Sequence, residues 1–552
     1  MKLRVRDICE IGDRLFSQRL SLSGFWQEVA ENFYPERADF TVRRALGTEF
    51  ASGIMTGAPV LTRRELADQI AAMIRPRGKK WFGLAPQDEA IGEKQAVKDW
   101  IDQKCTVMSR AMDDPDARFK RAAKETDNDY VTFGQGVMTI ELDEVNNSLL
   151  YRNWHLRDVA WSENDRLVID TIHRNWKIQC RDMIKRYPKS VDQKVITACK
   201  TEPFKEIDCR HVIIPYDEYD YTPPNGKKPR EGQWKYMSIL VDRENEKILS
   251  ETPIKDHPYI IPRWQTVSGS QYGHSPATVI ALPDARLLQR ITFTLIEAGE
   301  KATNPPMLAV QEALRSDISL LAGGVTWVDA AYDERLGEVL RPISQDKSGL
   351  NFGADLAGRH EEMIRAAFYL NKIMLPAYDG AAMTATEVRT RTEEYIRSAL
   401  PLFEPIEAEY SGQLCEKTFN ILMDNGAFGP AQNVPDELRG ADLKWVFKSP
   451  LTDAVDREDA LSFQETAQLL SMAVQIDPSL KADYDVRKHF RKAMKGLGAP
   501  MIDEEQADEA IAQAQQMAQL QQTAGMVGQG AGVAEQVGKA IQSLTPQQAE
   551  AA

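Results

Sequence analysis

Reaction chemistry needs side chains gathered in a constellation, and the residues of this chain that could supply one are scattered. The seven histidines stand singly. His155, His173 and His211 fall within one stretch but lack metal-ligand spacing, so solvated or core positions are the better reading. Asp113-Asp-Pro-Asp116 could hold the cations of a two-metal nuclease, yet it follows a helical segment, where a solvated turn explains it. Gly134-Gln-Gly136 lacks the third glycine and the following helix of a dinucleotide-binding turn, and reads as a tight turn into a strand. There is no G-x-x-x-x-G-K-[ST] to cradle phosphates and no Gly-x-Ser-x-Gly. The six cysteines show no CxxC pair, so free buried thiols are expected rather than disulfides or zinc. The densest basic run is Arg75, Arg77, Lys79 and Lys80, followed by Trp81 and Phe82. It is either a contact for DNA or an acidic partner, or a solvated loop held by two buried aromatics, and the second reading is favoured. The expectation is a protein with no catalytic residues, no metal and no cofactor.

The elements that must position these residues can be read from periodicity. Residues 1 to about 45 read as helix, with Ile8, Ile11 and Leu15 on one face and Trp26, Val29, Ala30 and Phe33 continuing the stripe to Pro35. Leu61 to Ile74 and residues 94–125 read as further helices, and glycines after Phe133 open a strand. From 150 to 262 short apolar runs alternate with turn clusters such as Pro223-Pro-Asn-Gly, which predicts an antiparallel β subdomain with one helix near Gln179 to Tyr187. After Pro276 the texture is helical to about Thr303, and Asn304-Pro-Pro ends it. A mixed segment with a strand at 323–328 follows, then a helix from Asp355 to Met374. Thr384-Ala-Thr-Glu387 is a capping box opening a long helix to Asn425, with a kink expected at Pro401 and Pro405. Residues 451–500 read as short helices, and the last fifty residues are rich in Gln, Ala and Gly, with a flexible break at 525–532.

Size and charge bound the answer further. The 552 residues allow two to four domains, and 43% apolar content supports a sizeable core. No apolar run is long enough to span a bilayer, and Met1-Lys-Leu-Arg-Val-Arg-Asp is not a secretory leader, so use in a cytoplasm and no membrane partner are expected. The net charge of -14 disfavours wrapping of nucleic acid in Lys and Arg. It does not disfavour a wall past which DNA slides, because like charge leaves no deep binding minima.

The most specific stretch is Tyr259-Ile-Ile-Pro-Arg-Trp-Gln-Thr-Val-Ser-Gly-Ser-Gln-Tyr-Gly-His-Ser-Pro276. Arg263 and Trp264 with Tyr272, Gly273, Ser275 and Pro276 resemble the RW…YGxSP signature of the portal (head-to-tail connector) proteins of short-tailed, T7-like bacteriophages. Trp26-Gln-Glu-Val-Ala-Glu-Asn-Phe-Tyr-Pro35, Arg77-Gly-Lys-Lys-Trp-Phe-Gly-Leu84, Phe133-Gly-Gln-Gly-Val-Met138 and Met383-Thr-Ala-Thr-Glu387 resemble its other blocks in order, so the likeness spans roughly 10–450. Thr384 and Glu387 belong to the last of these.

The resemblance implies an α+β, mainly helical, portal-type subunit that assembles into a ring of about twelve copies around a DNA channel. Its implied parts are a wing (1–276, N-terminal helices plus β subdomain), a first stem helix (277–303), a mixed clip (304–355) and a second stem helix (356–375). A tunnel loop (376–383), a long kinked wing helix and return (384–450), a helical crown (451–500) and a Gln-rich barrel or flexible tail (501–552) complete it. Lys372, Pro376, Ala377, Tyr378, Asp379, Gly380 and Met383 are the implied channel-facing residues. Asp329, Asp333, Glu334, Arg335, Glu338 and Arg341 are the implied docking residues of the clip. The segment 303–355 holds eight acids against four bases, so about twelve copies would carry -48 on one ring section, a surface that attracts basic partners. Implied partners are copies of itself, double-stranded DNA, the terminase large subunit, tail adaptor or nozzle proteins, and the major capsid and scaffolding proteins. The implied location is the portal vertex of a virion assembled in a bacterial cytoplasm. Two other readings compete: a different virion structural protein, such as an adaptor or ejection protein, and a metal-dependent hydrolase of nucleic acid.

Overall fold

The computed structural model describes residues 3–448 apart from 46, 52, 79, 93, 144–145, 222–231, 344–347, 374–404, 431–433 and all of 310–339 except 314, 316–318, 327 and 329; beyond 448 it describes 462–464, 466–472, 485–496 and 512. The fold is α+β and mainly helical. The chain divides into two compact units, Met1–Leu451 and Thr452–Ala552.

The helix expected over 1–45 is two helices, α1 (Val5–Gln18) and α2 (Leu20–Phe33). They part at Arg19, whose guanidinium turns inward to donate to the carbonyls of Leu156 (2.7 Å), Val159 (2.6 Å) and Arg157. Beyond Phe33 the helix stops, and Pro35 opens a short 3-10 turn to Arg37. α3 spans Ala58–Ile74, and β1 (Phe82–Pro86), α4 (Glu89–Gly92), α5 (Gln95–Asp113) and α6 (Phe119–Phe133) follow. The texture over 94–125 is thus broken: Pro115 has no N–H for a continuing helix, and the Asp114 carboxylate accepts from Asp116 N (3.0 Å) to form a separate turn.

The strand pairs of the β region are antiparallel. β2 (Met138–Asp143), β3 (Ser148–Asn153) and β9 (Tyr259–Ile260) make a small sheet in the order β3-β2-β9. β4 (Val159–Glu163), β5 (Ile169–Gln179), β6 (Glu206–Pro215), β7 (Tyr236–Asp242) and β8 (Lys247–Ile254) make a five-stranded meander. Side-chain alternation gives that meander two apolar faces. Val212, Ile214, Met237, Ile239 and Val241 pack on Ile8 and Cys9 of α1. Ile207, Cys209, Leu240 and Leu249 pack on Cys180 and Met183 of α7 (Cys180–Arg186) and on Val195 of α8 (Gln193–Thr201). A slip of one residue would exchange these faces, so the register is strongly specified. The single helix expected near 179–187 is therefore a pair; Asp192 caps the second by accepting from Lys194 N (2.9 Å). All six cysteines are free, and five are buried.

Two long helices then run antiparallel. α9 spans Leu282–Thr303 after a π-helical turn at Ala277–Ala281. Pro283 sits in its first turn, and the missing N–H there accounts for the irregular start. β10 (Met307–Ala309) pairs with β11 (Leu340–Pro342). α10 spans Ser348–Ala367, and α11 spans Leu370–Ile373. The helix expected at 355–374 thus begins earlier and breaks at Tyr369, where φ is 57°. His360 of α10 meets Asp284 of α9 (3.1 Å), and a Cβ on Gly353 would lie 2.7 Å from Leu295 Cδ2, so the two helices are in close contact.

From Pro405 the chain is helical, passing through a π turn at Glu407–Gly412 into α12 (Gln413–Asp424). β12 (Leu443–Phe447) returns to pair with β1, Phe82 opposite Phe447. In the second unit, α13 spans Val486–Gly496, and residues 462–464 and 466–472 are helical. The Pro223–Gly226 turn, the strand at 323–328 apart from Trp327, the capping box at Thr384 and the flexible break at 525–532 lie outside the described residues.

Candidate functional site

A dense set of hydrogen bonds joins residues 133–136 to 262–278. α6 ends at Gly134, whose φ of 77° is left-handed and whose N–H donates to Tyr130 O (2.9 Å). That conformation lets two backbones touch. A Cβ on Gly134 would lie 2.4 Å from the His274 carbonyl carbon, and one on Gly273 would lie 2.5 Å from Gly134 O. A Cβ on Gly136 would lie 2.6 Å from Thr126 Cγ2. The closeness is fastened by hydrogen bonds. Trp264 N donates to Gly134 O (2.8 Å), Gly273 N to Gln135 Oε1 (2.8 Å) and Ser275 Oγ to Thr132 O (2.7 Å).

Ser275 also starts the long helix. Its Oγ accepts from Thr278 N (3.2 Å) while Thr278 Oγ1 accepts from Ser275 N (2.8 Å), a reciprocal cap. Pro276 follows at the first helical position, where a missing N–H costs nothing and φ is already suitable. The Ser-Pro of the motif is thus a helix start, and Ser275 Oγ ties that start to the end of α6.

Arg263 and Trp264 hold the other strands of the junction. The Arg263 guanidinium lies between Glu163 on β4 and Glu409 on the π turn before α12, bonding Glu409 at 3.1 and 3.4 Å while its backbone N donates to Glu409 Oε2 (3.0 Å). The side chain is 10% exposed. Burial alone would lower its pKa, but Glu409 and Glu163 together raise it above the ordinary guanidinium value. The Trp264 ring lies 5.2 Å from that of Tyr130 and stacks at 6.4 Å, 10° from parallel, on Tyr369 at the break after α10. Tyr272 packs between Trp26 (5.8 Å) and Trp161 (4.7 Å). One motif therefore holds the N-terminal end of α9 and the C-terminal end of α10 in the same place.

Beneath it, three consecutive residues of α6 each take an arginine, two from α3 and its C-cap and one from the 3-10 turn after α2. Asp127 pairs with Arg75, Asn128 with Arg63, and Asp129 with Arg37 (2.7 Å). Tyr410 donates to Asp127 (2.9 Å) and Asn153 to Asp129 (2.8 Å). Burial pushes the Asp127 carboxyl up against the opposing pull of Arg75, and Arg75 itself stays charged because Asp127 and Tyr410 offset its burial. Arg75 is thus not part of an exposed basic loop. Phe82 is buried and begins β1.

These hydrogen-bonded charges hold backbone segments together; Arg263 and Glu409 also border a cavity of about 1190 Å³ that reaches Asp256, His257 and Lys417, and among the described residues no group of three His, Cys, Asp or Glu could hold a metal. Of the implied docking residues, Asp329 and Arg341 are described, Arg341 being exposed on β11. Asp333, Glu334, Arg335 and Glu338 lie outside the described residues, as do Pro376, Ala377, Tyr378, Asp379, Gly380, Met383, Thr384 and Glu387. The backbone of Lys372 is in α11. Glu163, Glu409, Tyr369 and Asp127 carry no signal in the sequence; Arg263 and Glu409 stand 146 residues apart.

The fold and junction define an α+β chain built around a long helical pair. The chain belongs to the bacteriophage head to tail connecting protein family, whose model matches residues 7–501. It is 26% identical over 445 residues to the "Probable portal protein" of Bordetella phage BPP-1, covering 80% of this chain and 78% of that protein. It is 21% identical over 499 residues to the "Portal protein" of Salmonella phage epsilon15, covering 89% and 87%. A chain of the "Virion of native gene transfer agent (GTA) particle" aligns at a TM-score of 0.35 and 11% identity over 80% of this chain and 94% of that one. Among the described residues no helix is long and apolar enough to cross a membrane.

Proposed function

We propose that this protein is a portal subunit of a bacteriophage virion. About twelve copies close into a ring at one capsid vertex, double-stranded DNA passes through the channel during packaging and ejection, and the rim takes terminase and then a tail adaptor. Closed cyclic symmetry suits identical subunits meeting through heterologous faces. The protein acts without chemistry of its own. In this reading α9 and α10 are the two stem helices, residues 304–355 the clip, 376–383 the tunnel loop and 451–500 the crown.

The observation that carries the reading is the state of the long helices. Of the 22 residues of α9, the buried ones are Leu282, Ala285 and Leu288, all in its first two turns. Beyond them Phe293 is 46% and Ile296 47% exposed, and Phe352 and Met363 of α10 are exposed too. A helix of this length extends about 33 Å, and large apolar residues along it call for covering surfaces that the described residues do not supply. Neighbouring copies in a ring would supply them.

The test is electron microscopy of the purified protein with its mass in solution, beside the double variant Phe293→Asp, Ile296→Asp. Rings with a central hole for the wild type, and folded unassembled subunits for the variant, support the reading. A compact dimer with a cleft, or unaffected assembly of the variant, overturns it.

A further inference from the structure

The second unit is acidic: residues 452–552 hold fifteen acids against eight bases. Five of those eight bases, Arg487, Lys488, Arg491, Lys492 and Lys495, belong to the one 11-residue helix α13, which contains no acid. Their spacing is not random. At 3.6 residues per turn these five helix positions fall within one arc of about 140°, and Val486, Phe490, Ala493 and Met494 fall on the opposite side. On the apolar side Ala493 is buried, and the Phe490 ring, 44% exposed, meets Phe463 at 5.8 Å. Arg487 and Lys488 are exposed. Asp485 caps the helix, accepting from Lys488 N (3.0 Å).

We infer that the basic face of α13 is a contact for the phosphate backbone of duplex DNA. The positions span about 12 Å along the helix, a length that meets several phosphates, since duplex DNA carries one charge per ~1.7 Å of axis. Regular positive charge along one helix face, without aromatic residues among it, fits a repeating backbone and gives no reading of base sequence. The acidic surroundings keep the contact local and easily displaced by salt, which suits a polymer that must move on. The identity of the partner rests on the conduit reading; the charge pattern does not.

The experiment uses the full-length protein, a 30-base-pair duplex and fluorescence anisotropy across salt concentrations. Lys488→Gln, Lys492→Gln, Lys495→Gln is compared with Lys185→Gln, Lys194→Gln, Lys200→Gln, which removes the same charge from α7 and α8. Five phosphate contacts give a slope of log affinity on log salt of about -4.5 per engaged helix, and losing three reduces it by about 2.7. The expected result is that reduction in the α13 variant and an unchanged slope in the other. Equal slopes in the two variants, no duplex binding by the wild type at low salt, or binding of polyglutamate in place of DNA would each overturn the inference. Imaging every sample for rings separates the two readings: rings without an α13 effect sink this inference alone, and an α13 effect without rings counts against the conduit.

Discussion

Three glycines test the junction quantitatively, because each isolates a different burden. Gly269 has a φ of 88° but open space where a Cβ would go. Gly273 lacks a left-handed φ, but its Cβ would meet Gly134 O at 2.5 Å. Gly134 has both, a φ of 77° and a contact of 2.4 Å to the His274 carbonyl carbon. Alanine at 269 should cost about 1 kcal/mol for the left-handed backbone. At 273 it should cost about 2–3 kcal/mol, since the obstacle is backbone and cannot swing aside. At 134 the two add to about 3–4 kcal/mol. At about 2 °C per kcal/mol for a large unit, the apparent midpoints should fall by about 2, 5 and 7 °C. The assay is thermal unfolding followed by tryptophan fluorescence, since Trp26, Trp161 and Trp264 all line the junction. Midpoints are compared only between variants, as a chain of this size need not unfold in two states. If Gly273→Ala and Gly134→Ala fall no further than Gly269→Ala, the two backbones do not touch and the junction as described is wrong.

Further outcomes follow from the same geometry. Arg263→Met leaves Glu163 and Glu409 facing each other without a cation and should cost about 3–5 kcal/mol; adding Glu163→Gln and Glu409→Gln should recover much of it, and equal urea midpoints for the single and triple variants would contradict the pairing. Burial, with help from Arg210, holds His173 down to about 3, and burial with Lys417 does the same to His257. Below pH 6.5 the unfolded chain therefore takes protons that the fold refuses, and stability falls as pH drops from 6.5 toward 3, by about 2 kcal/mol per histidine at pH 5. A urea midpoint that is flat between pH 7.5 and 5 would refute this. Deleting residues 377–382 should leave rings intact but impair packaging or retention of DNA, and a full, stably held genome would remove the tunnel-loop assignment. Reversing the charge of Asp333 and Glu334 should weaken docking of terminase or adaptor in a pull-down, and unchanged docking would remove the clip assignment.

Much of the local structure was legible in the chain. Pro276 after Ser275, and Asn304-Pro-Pro, mark where the long helix begins and ends, because a proline without an N–H opens helices and cannot continue them. The breaks at Arg19 and Tyr369 were not legible. Arg19 leaves the helix for carbonyls some 137 to 140 residues away, and Tyr369 takes a left-handed backbone beside the Trp264 ring. Neither reason lies within a local window.

The order of the RW…YGxSP block and its neighbours by itself determined the family. It does so because motif spacing is a property of the chain alone. What only the tertiary structure decided is why those residues are there. The glycines at 134 and 273 face each other across two backbones, Arg263 bridges two carboxylates from distant elements, and one motif holds both ends of a helical pair. Such contacts depend on which segments meet in space, and side-chain periodicity carries no information about that.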